Sequence, residues 1–403
     1  MSHRVVPKIY HTSEHDIQSN FIDPDAIYII EKLRLSGFQA YLVGGSVRDL
    51  LKGIKPKDFD IATSALPEEI KTVFRRNCLL IGRRFRLAHI RFGKKIFEVS
   101  TFRAGNIESN ELIIHDNEWG TPEEDVLRRD FTMNGLFYDP TDRSVIDYSG
   151  GWEDIRNGVL RTIGNPHARF NQDPVRMIRL LKFQARFGFT IDPETLEALI
   201  QNKHTIIKSS QARILEEMLR MLESGYSEIF IKLLKNHNFL ELLFPWLGQF
   251  LDSDEGEKIY LLLSQADQLQ KKSFRPVVDR SVMIACLIFP ILEKEIHEKY
   301  LAKEITPHLG EIADVTFSIL RDIVDKSFSK FPRRLSTSAA GILIMQYRLD
   351  PHGKRRLRKH KIMNSTDFLE ALSFLKLRAM KDPDVMKIYE FWQNSQNEQT
   401  THE

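Results

Sequence analysis

The spacing of apolar residues along the first 75 positions predicts alternating helices and strands. The segment DPDAIYIIEKLRLSGF repeats apolar side chains at helical spacing, with Asp23 or Asp25 as its cap and Gly37 at its end. Short apolar runs predict buried strands at QAYLV and FDIA, with a helix over Val47 to Leu51 between them. LPEEIKTVF is typical of a helix, since Pro67 stands in its first turn.

The pattern then changes to strict alternation, which is typical of strands. The predicted strands cover 78–81, 86–92 and 96–102, with a turn at Gly93-Lys94. The polar segment 104–119 predicts a long loop, and NGLFYDP and SVIDYSGG supply the last strand candidates. Beyond Gly151 helical periodicity dominates, as in NQDPVRMIRLLKFQARFGF, ARILEEMLRMLESG and SEIFIKLLKNHNFLELLF. We therefore predict an α/β head with a mixed sheet, followed by an all-α remainder.

These changes of pattern divide the 403 residues into predicted segments, and a chain of this length can bury more than one core. The first 22 residues are polar and unpatterned, which indicates an arm on the surface. The predicted segments are an N-terminal arm at 1–22, a catalytic head at 23–151, a helical neck at 152–220, a helical body at 221–325 and a basic helical tail at 326–403.

The composition, with 42% apolar and 28% charged residues, is that of a soluble globular protein. The longest apolar run, Ser281 to Leu292, is too short to span a bilayer and contains Pro290, which we expect to break it. The N-terminus shows no secretory signal. Cys78 and Cys286 lack metal-ligand spacing, which favours buried thiols in a reducing compartment and hence a cytoplasmic protein without a membrane partner.

An acidic pair follows a glycine turn in the stretch GGSVRDLLKGIKPKDFDIA. On a strand, Asp58 and Asp60 point to the same face, where their charges repel unless a cation lies between them. Mg²⁺ prefers such oxygen ligands. The turn Gly44, Gly45, Ser46 can receive an anion, because glycine lets the backbone approach and the next helix presents N–H groups. The combination predicts a site for a nucleoside triphosphate with Mg²⁺.

Simpler interpretations of these residues remain open. Taken alone, the aspartates can be surface acids and the glycines an ordinary turn. Glu98, in the predicted strand IFEVSTF, can complete the metal cluster or be an outward-facing strand residue.

The order of motifs resembles class II nucleotidyltransferases of the polymerase-beta superfamily, a group that contains tRNA CCA-adding enzymes and bacterial poly(A) polymerases. The resemblance covers about Asp25 to Gln184, with weaker similarity beyond. It rests on GG-S followed by DFD, RRDFTMN at 128–134, DYSGG at 147–151 and NQDPVRMIRLLKF at 171–183. It implies template-independent nucleotide addition to RNA 3′ ends, with ATP as substrate and release of pyrophosphate.

The resemblance also implies roles for single residues. Asp58 and Asp60 would hold two Mg²⁺ ions, with Glu98 assisting catalysis. Arg129 can instead pair with a nearby acid, and Asp130 can be a loop or cap residue. The residues implied to contact the nucleotide are Gly44, Gly45, Ser46, Arg48, Arg128, Arg129, Asp130, Asn134, Asp173, Arg176 and Arg179.

Asp173 and Arg176 are the candidates for recognising the base. Three apart on a helix, they lie on one face. Asp173 accepts and Arg176 donates hydrogen bonds, which matches the amino group and ring nitrogen of adenine and of cytosine but not of guanine or uracil. Asp173-Pro174 is also an ordinary helix start. Gln172 stands where related proteins often carry a glutamate.

The choice of product depends on the stretch LLIGRRFRLAHIRFG at 79–93, which resembles the segment that marks bacterial poly(A) polymerases. Arg83, Arg84 and Arg86 add positive charge where RNA phosphates can pass, although a basic hairpin in solvent explains them as well. The sequence favours polynucleotide adenylyltransferase activity, with tRNA CCA addition as the alternative.

The C-terminal region is basic and is predicted to bind RNA through phosphate contacts. A charged helix face that contacts nothing is the alternative. The predicted RNA-binding residues there are Arg333, Arg334, Lys354, Arg355, Arg356, Arg358 and Lys359.

Two other classes of protein fit less well. A non-catalytic RNA-binding protein on the same head is expected to have lost a metal acid, yet Asp58, Asp60 and Glu98 are present. A metal-dependent phosphohydrolase needs further histidines beside His15-Asp16 and His115-Asp116, and the sequence offers no such set.

Overall fold

In a computed structural model of the chain, the segments predicted as strands pair into one mixed sheet. The structure describes residues 6–82, 87–104, 118–273, 277–322, 331–349 and 359–401. The chain divides into two units, Met1–Thr205 and Ile206–Glu403. The division falls within the predicted neck, and the predicted segment boundaries stay predictions.

The first unit contains an eight-stranded sheet in the order β1-β8-β7-β2-β3-β6-β5-β4 among the described residues. Neighbouring strands are antiparallel except β3 and β6, which are parallel. The strands are β1 Lys8–Tyr10, β2 Ala40–Val43, β3 Asp60–Thr63, β4 Cys78–Ile81, β5 Leu87–Phe92, β6 Lys95–Thr101, β7 Leu136–Asp139 and β8 Ser144–Asp147. A separate parallel pair consists of β9 Val159–Leu160 and β10 Thr190–Ile191. The predicted head with a mixed sheet is confirmed.

The three helices predicted in the first 75 residues are present at 24–35, 45–51 and 67–74. Asp23 caps α1 by accepting a 3.0 Å hydrogen bond from the Asp25 backbone N–H, so the first of the two candidate caps is the one used. The helices are α1 Pro24–Leu35, α2 Gly45–Leu51, α3 Pro67–Phe74, α4 Pro122–Leu127, α5 Gly151–Asn157, α6 Pro166–Gln172, α7 Val175–Phe187 and α8 Pro193–Asn202. Short 3₁₀ turns cover Ser19–Phe21, Arg75–Asn77, Thr132–Asn134 and Lys203–Lys208.

The segment NQDPVRMIRLLKFQARFGF forms two helices with a break between them, where the pattern predicts one. Asp173 has φ −149° and ψ 90°, an extended conformation between α6 and α7. The residue before a proline avoids the helical region because the proline ring collides with it, so Pro174 imposes the break. The break turns α7 away from α6 and leaves Asp173 at the junction.

The N-terminal arm includes a strand that the sequence pattern did not predict. Lys8–Tyr10 pairs antiparallel with β8, and the ring of Tyr10 stacks on Trp152 with 4.1 Å between centroids. A strand of three residues is too short to show alternation, so only its partner strand defines it.

An apolar cluster beneath the predicted site joins the sheet to α4. Tyr41 and Phe137 stack on each other at 5.7 Å beside this cluster. Full burial of each large apolar side chain contributes about 1.5–3 kcal/mol, which stabilises the strands that carry the site. The buried members are Val43, Ala62, Phe102, Val126, Phe137 and Ile163.

The regular elements of the second unit are all helices among its described residues, which confirms the predicted helical remainder, and the short β9–β10 pair in the predicted neck is a departure from it. Its helices are α9 Gln211–Leu222, α10 Ser227–Asn236, α11 Phe239–Leu243, α12 Pro245–Phe250, α13 Glu257–Lys271, α14 Arg280–Lys299, α15 Leu309–Leu320, α16 Arg333–Leu349, α17 Lys359–Met363, α18 Phe368–Ala379 and α19 Pro383–Thr401. Two 3₁₀ turns lie at Asp254–Gly256 and Leu301–Lys303. Trp392 is fully buried near the C-terminus, and its Nε1 donates a 2.9 Å hydrogen bond to the carbonyl oxygen of Leu349.

The expectation that Pro290 breaks its apolar run was wrong, because α14 continues through this residue. Cys286, Ile291 and Leu292 around the proline are almost fully buried. Packing of a helix supplies most of its stability, so the burial outweighs the hydrogen bond that the proline removes. In the part of the chain that the structure describes, no helix has the length and apolar character needed to cross a membrane.

Candidate active site

The turn between β2 and α2 brings a cation and an anion together at Gly44. Gly44 has φ +69°, a conformation that L-residues rarely adopt. A Cβ atom placed on it would lie 3.1 Å from Nη1 of Arg129 and 4.0 Å from Oδ2 of Asp60. Glycine is therefore needed at position 44 for two reasons. It adopts the backbone conformation, and it leaves the space in which Arg129 and Asp60 approach the turn.

Two of the predicted acids lie side by side on paired strands. Asp60 on β3 is the register partner of Glu98 on β6. Asp58 lies just before β3, and the alternation continues through it, with Asp58 and Asp60 exposed and Phe59 and Ile61 buried. All three acids are therefore exposed at one end of β3, with Asp60 between the other two.

The electrostatics of the acids show that negative charge and burial outweigh the nearby guanidinium of Arg129. The pKa of Asp60 is raised to about 6, first by desolvation and then by the negative charges of Glu98 and Asp58, while Arg129 lowers it. The carboxyl is surrounded by protein and still has exposed surface, as in an open cleft. Carboxylates that repel in this way form the donor set that a hard divalent cation prefers, so Asp60, Glu98 and Asp58 fit Mg²⁺ chemically.

The carboxylates of Asp58, Asp60 and Glu98 do not lie close enough together to form a complete metal site. Over the described ranges, no group of three Asp, Glu, His or Cys side chains is close enough to hold a metal ion. The structure brings Asp60 and Glu98 together and leaves Asp58 at their side. The metal-binding role of these residues stays a prediction.

Arg48, implied to contact the nucleotide, is buried in the structure with 4% of its surface exposed. Its Nε and Nη2 donate to Oδ1 of Asp49 at 2.9 and 2.8 Å, and its Nη1 donates to Oδ1 of Asn134 at 2.6 Å. Its guanidinium lies 4.7 Å from the centre of the Phe187 ring. Burial lowers the pKa of Arg48, and the charge of Asp49 opposes that shift. In this arrangement Arg48 joins α2 to the 3₁₀ turn that carries Asn134.

The rest of the glycine turn is tied to its own strand. The buried hydroxyl of Ser46 donates a 2.9 Å hydrogen bond to the carbonyl oxygen of Val43. A Cβ atom on Gly45 would lie 3.4 Å from Nη2 of Arg48. These contacts hold the turn closed, and the nucleotide-binding roles of Gly45 and Ser46 stay predictions.

Asp130 is a buried acid held ionised by its neighbours. It accepts hydrogen bonds from Nδ2 of Asn134 at 3.0 Å and from its neighbour's backbone N–H at 2.8 Å, and it pairs with Nη2 of Arg179 at 2.7 Å. Burial alone would raise its pKa, yet the Arg179 guanidinium and these hydrogen bonds lower it. Asp130 and Asn134, both implied to contact the nucleotide, are therefore one hydrogen-bonded unit.

Arg129 pairs with a nearby acid, which is the second of the two interpretations given above. Its guanidinium also faces the glycine turn. Its Nε and Nη2 donate to Oδ2 of Asp125 at 3.1 and 2.8 Å, and Nη1 donates to the carbonyl oxygen of Asn134 at 3.3 Å. Asp125 therefore fixes a guanidinium whose Nη1 edge lies next to Gly44.

Arg169, which the sequence analysis did not single out, is the most buried cation of the site, with 1% of its surface exposed. Its Nη2 donates to the carbonyl oxygens of Arg128 and Arg129 at 2.6 and 2.5 Å. Burial, and next the charge of Arg176, lower its pKa to about 9. An arginine within an amphipathic segment gives no sequence signal of this role.

The predicted base-reading pair lies at the junction of α6 and α7. Arg176 has 6% of its surface exposed, and its Nη1 donates to the carbonyl oxygen of Arg169 at 3.0 Å. Asp173 is half-buried and accepts a 3.3 Å hydrogen bond from the backbone N–H of Val175. The Asp173 charge raises the pKa of Arg176 against the dominant effect of burial, which lowers it. The helix-start interpretation and the base-reading interpretation are compatible in this geometry.

Gln172 gives Arg169 a neutral partner. Its Oε1 accepts a 2.9 Å hydrogen bond from Nη1 of Arg169, and its side chain is buried. A glutamate here would add a negative charge within the same cluster. Compared with a glutamate, Gln172 therefore leaves the arginine cluster more positive.

The motif DYSGG has a structural explanation that the sequence analysis missed. Oδ1 of Asp147 accepts from the backbone N–H groups of Ser149, Gly150 and Gly151, and Oδ2 accepts from that of Trp152, at 2.9–3.2 Å. A Cβ atom on Gly151 would lie 2.0 Å from the carbonyl oxygen of Thr132. The motif therefore starts α5 tightly against the 3₁₀ turn of Asn134.

Only part of the predicted RNA-binding surface is described. Arg333 and Arg334 are exposed at the start of α16. Lys359 is exposed, with Nζ 4.0 Å from the centre of the Phe391 ring and 3.4 Å from Oγ of Ser395. Outside the described residues lie Arg83, Arg84, Arg86, Lys354, Arg355, Arg356, Arg358, His115-Asp116 and positions 105–117 of the predicted loop.

Comparison with known protein families matches three parts of the chain. The matching models are described as "Poly A polymerase head domain" at residues 40–161, "Probable RNA and SrmB- binding site of polymerase A" at 188–251 and "Polymerase A arginine-rich C-terminus" at 320–403.

Individual relatives extend these matches. Poly(A) polymerase I of Escherichia coli O6:H1 is 35% identical over 410 residues, which cover 96% of this chain and 84% of that protein. The CCA-adding enzyme of Staphylococcus saprophyticus is 38% identical over 203 residues, 49% of each chain. The structure of the Bacillus stearothermophilus CCA-adding enzyme in complex with CTP superposes with a TM-score of 0.64 at 25% identity, covering 93% of this chain and 82% of that one.

The sheet, the helical remainder and these likenesses define the chain as a class II nucleotidyltransferase, and so as an enzyme. It belongs to the poly(A) polymerase family.

Proposed function

We propose that this enzyme adds AMP from ATP to RNA 3′ ends without a template, releasing pyrophosphate. The observation that carries the proposal is the meeting of Asp60, Glu98 and Arg129 at the Gly44 turn. An acid that can hold a cation and a guanidinium that can hold phosphate both lie within 4.0 Å of a Cβ position on Gly44, and Glu98 is paired with that acid on the next strand.

The residues of the chain supply distinct parts of the reaction. Asp58, Asp60 and Glu98 would hold two Mg²⁺ ions, which, when bound, lower the pKa of the attacking 3′-hydroxyl and neutralise the triphosphate. The backbone at Gly44 and the guanidinium of Arg129 orient the phosphates, because Arg129 is already fixed by its hydrogen bonds to Asp125.

Base selection is assigned to Asp173 and Arg176 at the α6–α7 junction. The carbonyl oxygen of Arg169 fixes the Arg176 guanidinium, and Asp173 lies at the start of the same helix. Leaving such buried groups unpaired against guanine or uracil is costly, which is the physical source of selectivity. This pair suits both ATP and CTP.

The preference for AMP addition over CCA addition rests on the extent of the likeness to relatives. The poly(A) polymerase I of Escherichia coli matches 96% of the chain, including the basic C-terminal region, whereas the CCA-adding enzyme of Staphylococcus saprophyticus matches 49%. Sequence-independent phosphate contacts suit an enzyme that holds varied RNA ends. We assign them to Arg333, Arg334, Lys359 and the basic residues outside the described ranges.

A substrate panel separates the two products. The purified protein is incubated with an arbitrary RNA or with tRNA lacking its CCA end, and with ATP or CTP. We expect long tails from ATP on the arbitrary RNA. Efficient CTP use restricted to the tRNA would instead establish the CCA-adding alternative.

The metal assignment is tested by Asp60→Ala. We expect this variant to lose nucleotide incorporation while its RNA affinity stays nearly unchanged. Asp384→Ala, which removes an exposed acid paired with Lys387 on α19, serves as the control and should retain full activity. Normal primer extension by Asp60→Ala would contradict the assignment.

The proposed place of action is the cytoplasm. Cys78 and Cys286 are both buried and unpaired, which suits a reducing compartment.

A further inference from the structure

A histidine extends the row of site acids across the sheet. His89 on β5 is the register partner of Glu98 on β6, and Glu98 is in turn the partner of Asp60 on β3. Directly paired residues of neighbouring strands point to the same face. Asp60, Glu98 and His89 therefore form one line across three adjacent strands.

The imidazole lies close enough to orient the Glu98 carboxylate. Nε2 of His89 is 3.5 Å from Oε1 of Glu98. The side chain of His89 is 21% exposed and that of Glu98 is 54% exposed, so the histidine is the more firmly held partner. Contacts of catalytic groups are often this long before substrate binds and shorten afterwards.

Among the side chains around Glu98, His89 is the one suited to orient its carboxylate. Within the described part of the chain, it is the one side chain at ion-pair distance from Glu98. On its other side, the register partner of His89 is Leu79 on β4, whose exposed apolar side chain offers no hydrogen bond. A half-exposed glutamate without such a partner samples several rotamers, and only some of them direct its carboxylate toward Asp60.

We infer that His89 is a positioning residue: its Nε2–H holds Oε1 of Glu98, which leaves the second carboxylate oxygen to face the Asp60 side, and so completes the divalent-cation site from outside the ligand set. The inference rests on the proposed function, because it concerns the same acids. Partners that orient metal-binding carboxylates typically change metal affinity 10–100-fold when they are removed. His89 is not itself assigned as a ligand, since Mg²⁺ prefers oxygen.

Metal binding without catalysis tests the inference. Mn²⁺ is titrated into the full-length protein in the absence of ATP and RNA, and free Mn²⁺ is followed by electron paramagnetic resonance. We expect His89→Ala to weaken Mn²⁺ binding about 10-fold. His89→Gln should stay near the wild-type value, because the glutamine amide can donate from a similar position to the carboxylate.

Controls separate positioning from a general effect on the fold. Leu79→Ala changes the other register partner in the same row and should leave Mn²⁺ binding unchanged. Rescue by His89→Gln is a result that a purely structural role of the ring would not produce. Unchanged Mn²⁺ binding by His89→Ala, or equal weakening by Leu79→Ala, overturns the inference.

The same titration distinguishes this inference from the proposed function. Asp60→Asn should abolish Mn²⁺ binding. If Asp60→Asn binds as the wild type does, or if the wild type does not bind, the proposed metal site itself is wrong. If Asp60→Asn loses binding while His89→Ala keeps it, only the role of His89 fails.

Discussion

Nη1 of Arg48 donates a 2.6 Å hydrogen bond to Oδ1 of Asn134, although the two residues are 86 positions apart in the chain. Nδ2 of Asn134 donates a 3.0 Å hydrogen bond to Oδ1 of Asp130, and Oδ2 of Asp130 pairs with Nη2 of Arg179 at 2.7 Å. One buried polar chain therefore links α2, the 3₁₀ turn and α7. Because each member is a partner of the next, removing one leaves a buried polar group unsatisfied.

The substitution Arg48→Ala should lower the free energy of unfolding by about 2–3 kcal/mol, because it leaves the buried Oδ1 of Asn134 without its donor and leaves Asp49 with the more exposed Arg186. Urea denaturation followed by tryptophan fluorescence measures the loss. Arg220→Ala is the matched control, since it breaks an exposed pair with Glu216 and should cost less than about 1 kcal/mol. Equal losses in the two variants would show that the buried chain carries no special stability.

Combining Arg48→Ala with Asn134→Ala measures the link between the two residues directly. We expect the double variant to be more stable than the sum of the single losses predicts, with a coupling of about 0.5–3 kcal/mol. Strict additivity would show that the hydrogen bond between Arg48 and Asn134 contributes nothing.

At the glycine turn, Gly44→Ala should reduce both activity and stability. The added Cβ would lie 3.1 Å from Nη1 of Arg129 and would sit at φ +69°. Strain of this kind costs about 1–3 kcal/mol, and the displaced guanidinium no longer faces the phosphates. ATP incorporation and thermal unfolding measure the two effects.

Gly53→Ala is the control for backbone strain at this turn. Gly53 has φ +66°, but a Cβ atom placed on it would meet no other atom within 4 Å. The Gly53→Ala variant should therefore be less stable than the wild type but keep the same specific activity. If Gly53→Ala and Gly44→Ala lose activity alike, the contact with Arg129 is not the cause.

The raised pKa of Asp60, about 6 against 3.8, predicts how stability changes with pH in the metal-free enzyme. A carboxyl with a raised folded-state pKa contributes stability below pH 3.8, and that contribution is lost as the pH rises through about 6. Asp60→Asn should therefore be more stable than the wild type at pH 7, by on the order of 1 kcal/mol once solvent screening is allowed for. The difference should vanish near pH 4.

Chemical denaturation between pH 4 and 7, with and without Mg²⁺, checks this pH dependence. Saturating Mg²⁺ should reverse the order, because the ion stabilises only the protein that binds it. Glu31→Gln removes an exposed negative charge from α1 and should show no such pH-dependent gain. A wild type that is the more stable at pH 7 without metal would contradict the assigned electrostatics.

Lys359→Ala should weaken RNA binding uniformly across sequences. Each lysine that contacts a phosphate adds about one to the slope of log affinity against log salt, so the slope should fall by about one. Fluorescence anisotropy with a labelled oligoadenylate at several salt concentrations measures it. Lys387→Ala removes an exposed lysine paired with Asp384 and should leave the slope unchanged. An unaltered slope for Lys359→Ala would remove this residue from the proposed RNA surface.

Much of the fold was predictable from local pattern. The start of α1 at one of two aspartates, the turn at Gly93-Lys94 and the strand at β3 each follow from neighbouring residues, and the structure confirms them, with Asp23 as the cap. The motif spacing also predicted which residues would meet, since the structure places Gly44 next to Asp60. The roles given to these residues stay predictions.

The sequence by itself determined where most of the head's strands and its first three helices lie and which glycine and acids stand at the turn, because helical and strand periods and turn chemistry act over a few residues. Only the tertiary structure decided that Arg48 is buried against Asn134, that Arg169 holds the carbonyl groups of Arg128 and Arg129, and that His89 faces Glu98. Such contacts join residues far apart in the chain. They leave no periodic signal, because they depend on which strands pair and which helices pack together.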